Sequence, residues 1–431
     1  MLVLTSLRSR EWRAPLIMVV VVEIVALIYV TTIDRHNHID CEVYQLGARA
    51  WLHGQALYGP LPLTESGYQL PFIYPPFAAA MLSPLALVSK MAVIKITEAV
   101  TTLALVVSLA LVVNSSKMLA PRRDLVLPIT ACILPIATIS EPVLETYGYG
   151  QISVLLMAMV LVDCLWRTGE GQRMPWPRGL LLGVAAGIKL TPAAFLLFFL
   201  LRKDFRSIIW SAVGFLVTAG IGFAASVPDS IRFWTHEVFN IGTTTFGKEF
   251  SGDVSVFAGN LTLHSMYSKF QLTGLPMALL FGLSAVVVLA LTVLGMHQAL
   301  RERDLAFAVV VNGIAELVLS TVSWSHHWVW AVPALAMLTA AAIRRRQLAL
   351  LVPTAFASAV FVMGPQWTIP AGHGAEVQWT FRQQLVANSY VYLGLAFLVY
   401  AASFWWLAQR RNNRPEPQTS EPADDQVVAA T

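Results

Sequence analysis

Long apolar stretches recur along the whole chain, separated by polar connections. They cover residues 15–33, 96–114, 125–139, 152–166, 208–227, 275–296, 305–322, 329–343, 348–363 and 387–407. Most are near the length, about 20 residues, that a helix needs to cross hydrocarbon. The pattern predicts an all-α protein that crosses a membrane about 11–13 times, counting two ambiguous segments. One of these, residues 77–88, is short enough to lie along the membrane. The other, residues 179–201, is interrupted at Lys189-Leu-Thr-Pro192, where proline disfavours helical continuation. The first stretch follows Arg8, Arg10 and Arg13 and lacks a small-residue cleavage site, so it reads as an uncleaved span. There is no repeat of fixed period.

Composition turns this pattern into a class. Hydrophobic residues make up 56% of the 431 and charged residues only 13%, with a mean hydropathy of +0.64. A soluble domain averages about 25% charged residues. Disordered, collagen-like, coiled-coil and disulfide-rich secreted chains are excluded. So is a disulfide framework, since Cys132 and Cys164 lie inside apolar runs. The net charge of +4 implies no nucleic acid, because Lys and Arg distribute as the positive-inside rule demands. Suppose residues 77–88 stay outside and residues 179–201 enter and return. Then Arg35, Arg49, Lys90, Lys95, Arg232, Lys248, Lys269 and Arg382 fall outside, Lys189 sits at an apex, and the other 20 of 29 are cytoplasmic. Letting both segments cross destroys most of this asymmetry. The expected organisation is a single integral-membrane domain over residues 1–408. It has a first outer region at 34–95 with juxtamembrane helices and a long outer loop at 228–271. Both termini are cytoplasmic, and a disordered tail begins at residue 409.

This topology gathers unusual polar residues on the outer face: Asp40, the loop Glu141–Gln151, Asn260 and the run Ser323-Trp-Ser-His-His-Trp328. Lys189 aims towards the same side from within the membrane. An ammonium in an apolar segment costs roughly 2.5–3.5 kcal/mol on the insertion scale and is a mark of function, or of pairing with a buried acid such as Glu23 or Glu316.

Several motifs resemble those of glycosyltransferase family 87, the polyprenyl-phosphate-mannose-dependent mannosyltransferases of GT-C type. They are Ile39-Asp-Cys-Glu-Val-Tyr44, Phe72-Ile-Tyr-Pro-Pro-Phe77, Tyr147-Gly-Tyr-Gly-Gln151, Gly183-Val-Ala-Ala-Gly-Ile-Lys-Leu-Thr-Pro192, Gly259-Asn-Leu-Thr-Leu263 and the histidine pair after Trp324. The Gly-Ile-Lys-Leu-Thr-Pro piece is the most specific. Where the family often has Asn-Gln-Ser-Leu, this chain has Asn260-Leu-Thr-Leu263. The resemblance implies a GT-C fold with an outward cavity in the plasma membrane. It implies a polyprenyl-phosphate-mannose donor and a phosphatidylinositol mannoside or lipomannan acceptor, joined α-1,2 with inversion. It places the family's catalytic acid at Asp40.

The chemistry such a transfer needs is matched by residue type. A carboxylate, Asp40, takes the proton of the acceptor hydroxyl. Cations or donors must meet the charge that develops on the leaving phosphate; Lys189, His326 and His327 are the candidates. Glu42, Arg49, Tyr74, Glu145, Gln151, Asn260 and Trp324 are expected to bind acceptor or support the site. No carboxylate spacing is diagnostic of a metal, and none is expected to be obligatory. A transferase with another polyprenyl-phosphate sugar, such as a pentose, has the same chemistry. A transporter of lipid-linked sugars is disfavoured, because the broken segment has no counterpart in the second half.

Overall fold

The computed structural model describes residues 10–32, 37–116, 119, 123–166, 174–240, 254–372 and 374–412. The described residues are helical and form no strand ladder; Asn260 and Trp324 make an isolated antiparallel bridge. Helix α1 (Arg10–Thr32) leads to α2 (Ile39–Leu52), α3 (Pro76–Leu82, extended by a 3-10 turn at Ser83–Leu87) and α4 (Lys90–Ser115). Next come α5 (Val126–Thr138), α6 (Glu141–Tyr149), α7 (Ser153–Leu165), α8 (Leu180–Ile188) and α9 (Leu196–Leu201). The second half holds α10 (Phe205–Ala225), α11 (Val227–Arg232), α12 (Leu263–Lys269), α13 (Gly274–Arg301) and α14 (Leu305–Leu319). A 3-10 turn (Ser325–Trp330) opens α15 (Ala331–Arg345), followed by α16 (Leu348–Met363), α17 (Phe381–Ala387) and α18 (Ser389–Asn412).

Among the described residues, four helices are long and apolar enough to cross a membrane, and six if each of two bent pairs counts as one span. Several further apolar helices are shorter, among them Ser153–Leu165, Leu305–Leu319 and Leu348–Met363. The expected 11–13 full-length crossings therefore resolve into long, bent and short helices. The bends come at defined places: α5 and α6 meet at 66°, α17 and α18 at 62°. The long helix α13 is peripheral, with 17% of its apolar window buried, whereas the Ser325–Arg344 helix is central, at 61%. The exposed side of α13 carries Leu275, Leu279, Leu283 and Val286, which would be untenable against water and suits hydrocarbon. The core lies around α14, where Ala306 to Ala315 is buried without interruption.

Glycine spacing explains one close pair. Gly179, Gly183 and Gly187 approach, in turn, Ser207, Ser211 and Thr218 on α10, so α8 and α10 run side by side in the same direction. Small residues at this spacing let membrane helices touch backbone to backbone. The N-terminus of α8 is held by Asp163, which accepts from Gly179 N (3.0 Å) and Leu182 N (2.9 Å). At Lys189 the backbone turns extended (φ −149°, ψ 134°) and the helix ends. Residue 204 nevertheless returns to cap the start of α10, the end beside Gly179. Residues 179–201 therefore form a re-entrant hairpin with Lys189 at its turn.

The other ambiguous segment is a short helix tied to its neighbours at both ends. The start of α3 meets Gly222 near the end of α10, and Lys90, just beyond it, pairs with Glu42 on α2 (3.2 Å) and with Glu65 (2.7 Å). Gln45 of α2 donates to the carbonyls of Leu85 (3.0 Å) and Val88 (2.7 Å). Glu141–Gln151, expected as a loop, is instead the buried helix α6, packed on the Ser325–Trp330 turn. Glu23 accepts from Thr138 (2.9 Å), joining α1 to α5, so it is not the partner of Lys189. The tail beyond residue 412 and loop residues 241–253 lie outside the described residues.

Candidate active site

Asp40 lies in the first turn of α2, beside the positive end of that helix's dipole. Three contacts with the end of α6 fix it there. His38 N donates to Gly148 O (3.1 Å), Cys41 Sγ meets Gly150 O (3.5 Å), and Gln151 Nε2 donates to Asp40 Oδ2 (2.6 Å). Gly150 ends α6 in the left-handed region (φ 72°), and any Cβ there would strike Cys41. The turn that aims Gln151 at Asp40 thus requires glycine. Gln151 Oε1 accepts in turn from Tyr44 (2.9 Å) and Tyr74 (3.3 Å), whose hydroxyls are 3.0 Å apart. The carboxylate sits at the head of a buried polar network.

This network forms part of the wall of a chamber of about 440 Å³. The volume falls in the range, roughly 300–1,000 Å³, of pockets that enclose sizeable ligands. Its lining is rich in aromatic side chains: Tyr44, Tyr68, Tyr74, Tyr149, Phe257, Trp324 and Trp367. Asp40, Gln151, Ser325, His326 and Glu376 add polar side chains beside the tyrosine hydroxyls. His326 is buried, its ring 4.7 Å from that of His327 and 5.3 Å from that of Tyr149. Among the described lining residues there is no Lys or Arg.

Lys189 is close to this chamber without lining it. Its Nζ lies 5.6 Å from the centre of the Tyr74 ring and 2.8 Å from His327 Nε2, inside a neighbouring cavity of about 40 Å³ that Glu316 also lines. The backbone N–H of Trp324 donates to His327 Nδ1 (3.2 Å), so His327 ties the 3-10 turn to the membrane break. The structure brings together Asp40, Tyr74, Gln151, Trp324 and His326 around one chamber, and Lys189 with His327 behind it.

Other expected site residues are placed elsewhere. Glu42 accepts from Glu65 N (2.6 Å) and from Lys90, facing away from the chamber. Arg49 is exposed at the far end of α2. Successive residues turn about 100° on a helix, so positions two and nine beyond Asp40 fall on other faces, while Val43 and Tyr44 share its face. Glu145 is buried in α6, and Tyr149, one turn further, is the residue that lines the chamber. Asn260 is buried in loop scaffolding: its amide donates to Val254 O (3.1 Å) and its Oδ1 accepts from Ser323 N (3.1 Å). The flanking Gly259 reaches the chamber instead. Sequence reasoning missed Tyr149, Phe257, Trp367 and Glu376 as chamber residues. Among the described residues no three His, Cys, Asp or Glu side chains converge on a metal position.

A carboxylate is thus fixed in the wall of a chamber rich in aromatic side chains, in a bundle of apolar helices, and comparison with known proteins gives this geometry a class. The sequence pattern of glycosyltransferase family 87 matches residues 72–321. A Mycobacterium tuberculosis protein named polyprenol-phosphate-mannose-dependent alpha-(1-2)-phosphatidylinositol mannoside mannosyltransferase is 37% identical over 377 residues, 84% of each chain. Its namesake from Mycolicibacterium smegmatis is 36% identical over 384 residues, covering 84% of this chain and 82% of that one. A phosphatidylinositol pentamannoside mannosyltransferase of the same organism is 30% identical over 303 residues, 69% of this chain and 68% of its own. No solved structure matches. The chain belongs to glycosyltransferase family 87, a GT-C family of membrane enzymes.

Proposed function

We propose that this enzyme transfers mannose from polyprenyl-phosphate-mannose to a phosphatidylinositol mannoside or lipomannan-type acceptor, forming an α-1,2 linkage with inversion. The reaction takes place on the outer face of the plasma membrane, with both termini cytoplasmic. The observation that carries the reading is Asp40, held by Gln151 in the wall of the chamber, in a chain whose relatives are named for this transfer. The acceptor hydroxyl attacks the anomeric carbon and gives its proton to Asp40. The new C–O bond forms as the bond to the phosphate oxygen breaks, and the lipid phosphate leaves. One base suffices for inversion. His326 is placed to meet the phosphate, with Lys189 adding positive charge from behind Tyr74 and His327.

No obligatory metal is part of this proposal. The outer carboxylates that would hold one are engaged: Glu42 by Lys90, and Glu141 by Gln366 (3.0 Å), Trp367 (2.7 Å) and Tyr390 (2.7 Å). The outer placement is supported by the 20-to-8 split of basic residues, with the hairpin over residues 179–201 and the shortness of the helix over residues 76–87 in keeping with it.

The test is a purified assay with labelled polyprenyl-phosphate-mannose and a panel of phosphatidylinositol mannosides. Asp40→Asn is expected to lower turnover by about 10²–10⁴-fold, the scale of a lost general base, with unchanged melting. Near-normal turnover by this variant would remove Asp40 from the mechanism. Sidedness is checked by labelling in intact cells, with the exposed Cys132 replaced first. A cysteine at Leu63 should react with an impermeant reagent, and cysteines at Pro175 and Arg206, the two ends of the hairpin region, should both stay protected. Labelling of only one of that pair would contradict the re-entrant segment.

A further inference from the structure

The chamber has a second wall that the transfer chemistry leaves unused. It is assembled from distant pieces of chain: Phe257 and Gly259, Trp324, and the segment between α16 and α17. Phe257 stands edge-on to Trp324 (5.8 Å between ring centres) and to Trp367 (6.4 Å). Trp367 remains 37% exposed although its Nε1–H is anchored on Glu141 Oε1 at 2.7 Å. The same carboxylate fixes the neighbouring Gln366 and, from α18, Tyr390. An open indole face is thus fixed before any ligand arrives, which lowers the entropic cost of binding to it.

Glu376 lies on the same wall, only 2% exposed, and lines the chamber. It accepts from Gly372 N (2.7 Å) and Ala258 N (3.3 Å), both through Oε1. A carboxylate offers about four lone-pair positions, and no hydrogen bond from a described residue uses Oε2, so it can accept from a ligand hydroxyl. Fixed aromatic faces beside a buried carboxylate suit a pyranose, whose C–H face packs on rings and whose hydroxyls donate. The carboxylate disfavours a phosphate here, and no described Lys or Arg on the lining offsets it.

Resting on the mannosyl-transfer reading, we propose that Trp367 and Glu376 form the subsite for the neutral terminal sugar of the glycolipid acceptor. They thereby determine which acceptors are elongated. Asp40 receives the reacting hydroxyl of that sugar, and Trp367 and Glu376 hold the remainder of the ring away from the donor phosphate.

The experiment is steady-state kinetics of the full chain in detergent, varying polyprenyl-phosphate-mannose and a short-chain phosphatidylinositol mannoside separately. Trp367→Ala should raise the acceptor KM about tenfold, equivalent to about 1.4 kcal/mol, with the donor KM unchanged. Trp367→Phe and Glu376→Gln should raise it by smaller factors. Glutamine keeps the oxygen that meets Gly372 and Ala258, so this variant carries the test if Trp367→Ala melts early. An unchanged acceptor KM in well-folded Trp367→Phe and Glu376→Gln would overturn the subsite, as would an equal rise in the donor KM. Failure of the wild type to transfer mannose falls on the functional reading instead. Calorimetric binding of the same phosphatidylinositol mannoside, without donor, then decides the subsite: weaker binding by both variants supports it, and equal binding refutes it.

Discussion

Lys189 sits half-buried at the break of an apolar hairpin, and Lys269 is fully buried at the end of a short helix. Lys189 occupies the turn of the re-entrant hairpin, among His327, Tyr74 and Glu316. Lys269 ends α12, 1% exposed, and its Nζ donates to Asn260 O at 2.6 Å. Asn260 in turn bridges Trp324, so each lysine supports one side of the same turn, Trp324 to His327. The difference lies in compensation. Lys189 shares its small cavity with an acid and has a ring nitrogen at hydrogen-bond distance. Lys269 is met chiefly by uncharged oxygens, the Asn260 carbonyl and, at 3.5 Å, Asn388 Oδ1. An ammonium whose hydrogen bonds go to neutral oxygens can shed its proton and keep those bonds, even with a carboxylate, Glu376, near enough to act on it through space.

The sharpest way to break this comparison is to remove the Lys189 charge. Lys189→Met leaves Glu316 facing the small cavity without a cation and His327 Nε2 without its partner, at a cost of about 1–3 kcal/mol. Melting of the variant in detergent should fall accordingly, and turnover with it. The double variant Lys189→Met, Glu316→Gln should recover most of the lost stability while turnover stays low. Recovery of both would make the pair purely structural. Recovery of neither would show that Glu316 does not balance Lys189.

The two lysines also show what was legible in the sequence. Lys189 stands out because its neighbours are apolar, and the Pro192 that follows announces the break. Lys269 sits in a segment with polar residues on either side, and nothing local marks its burial. Asp40, Tyr74, Gln151, Trp324 and His326 were legible because short motifs carry them, and the fold brings those motifs to one chamber. Glu42 and Arg49 were misplaced because proximity in sequence ignores helical phase. Asn260, expected to bind acceptor or support the site, takes the supporting place: it holds the backbone of Ser323 and bridges Trp324. Trp367 and Glu376 were invisible because they reach the chamber from more than 300 positions beyond Asp40. Contacts at that separation are set by packing of α16 to α18, not by any local pattern. The helical class was legible throughout, since apolar length reports directly on the membrane. The bends at α5–α6 and α17–α18 were not, because each occurs within or beside a continuous apolar or mixed stretch.

The last comparison concerns Lys269 and the pH. Burial pushes its ammonium down from 10.5 to about 7, with the nearby Glu376 partly opposing the shift. The unfolded chain therefore binds more protons than the native one between about pH 7 and pH 10.5. Stability rises with pH wherever that holds, so this contribution is complete above about 10.5 and is lost as pH falls through about 7. Lys269→Met keeps the apolar stem, gives up the bond to Asn260 at a cost of about 1 kcal/mol, and has no proton to bind. Melting temperatures of both proteins, taken in one detergent from pH 6 to pH 10, separate this group from the other titrations, which the two share. The wild type should gain on the variant as pH rises through that window. A constant gap across it would mean that Lys269 keeps its proton when buried, and would erase the contrast with Lys189.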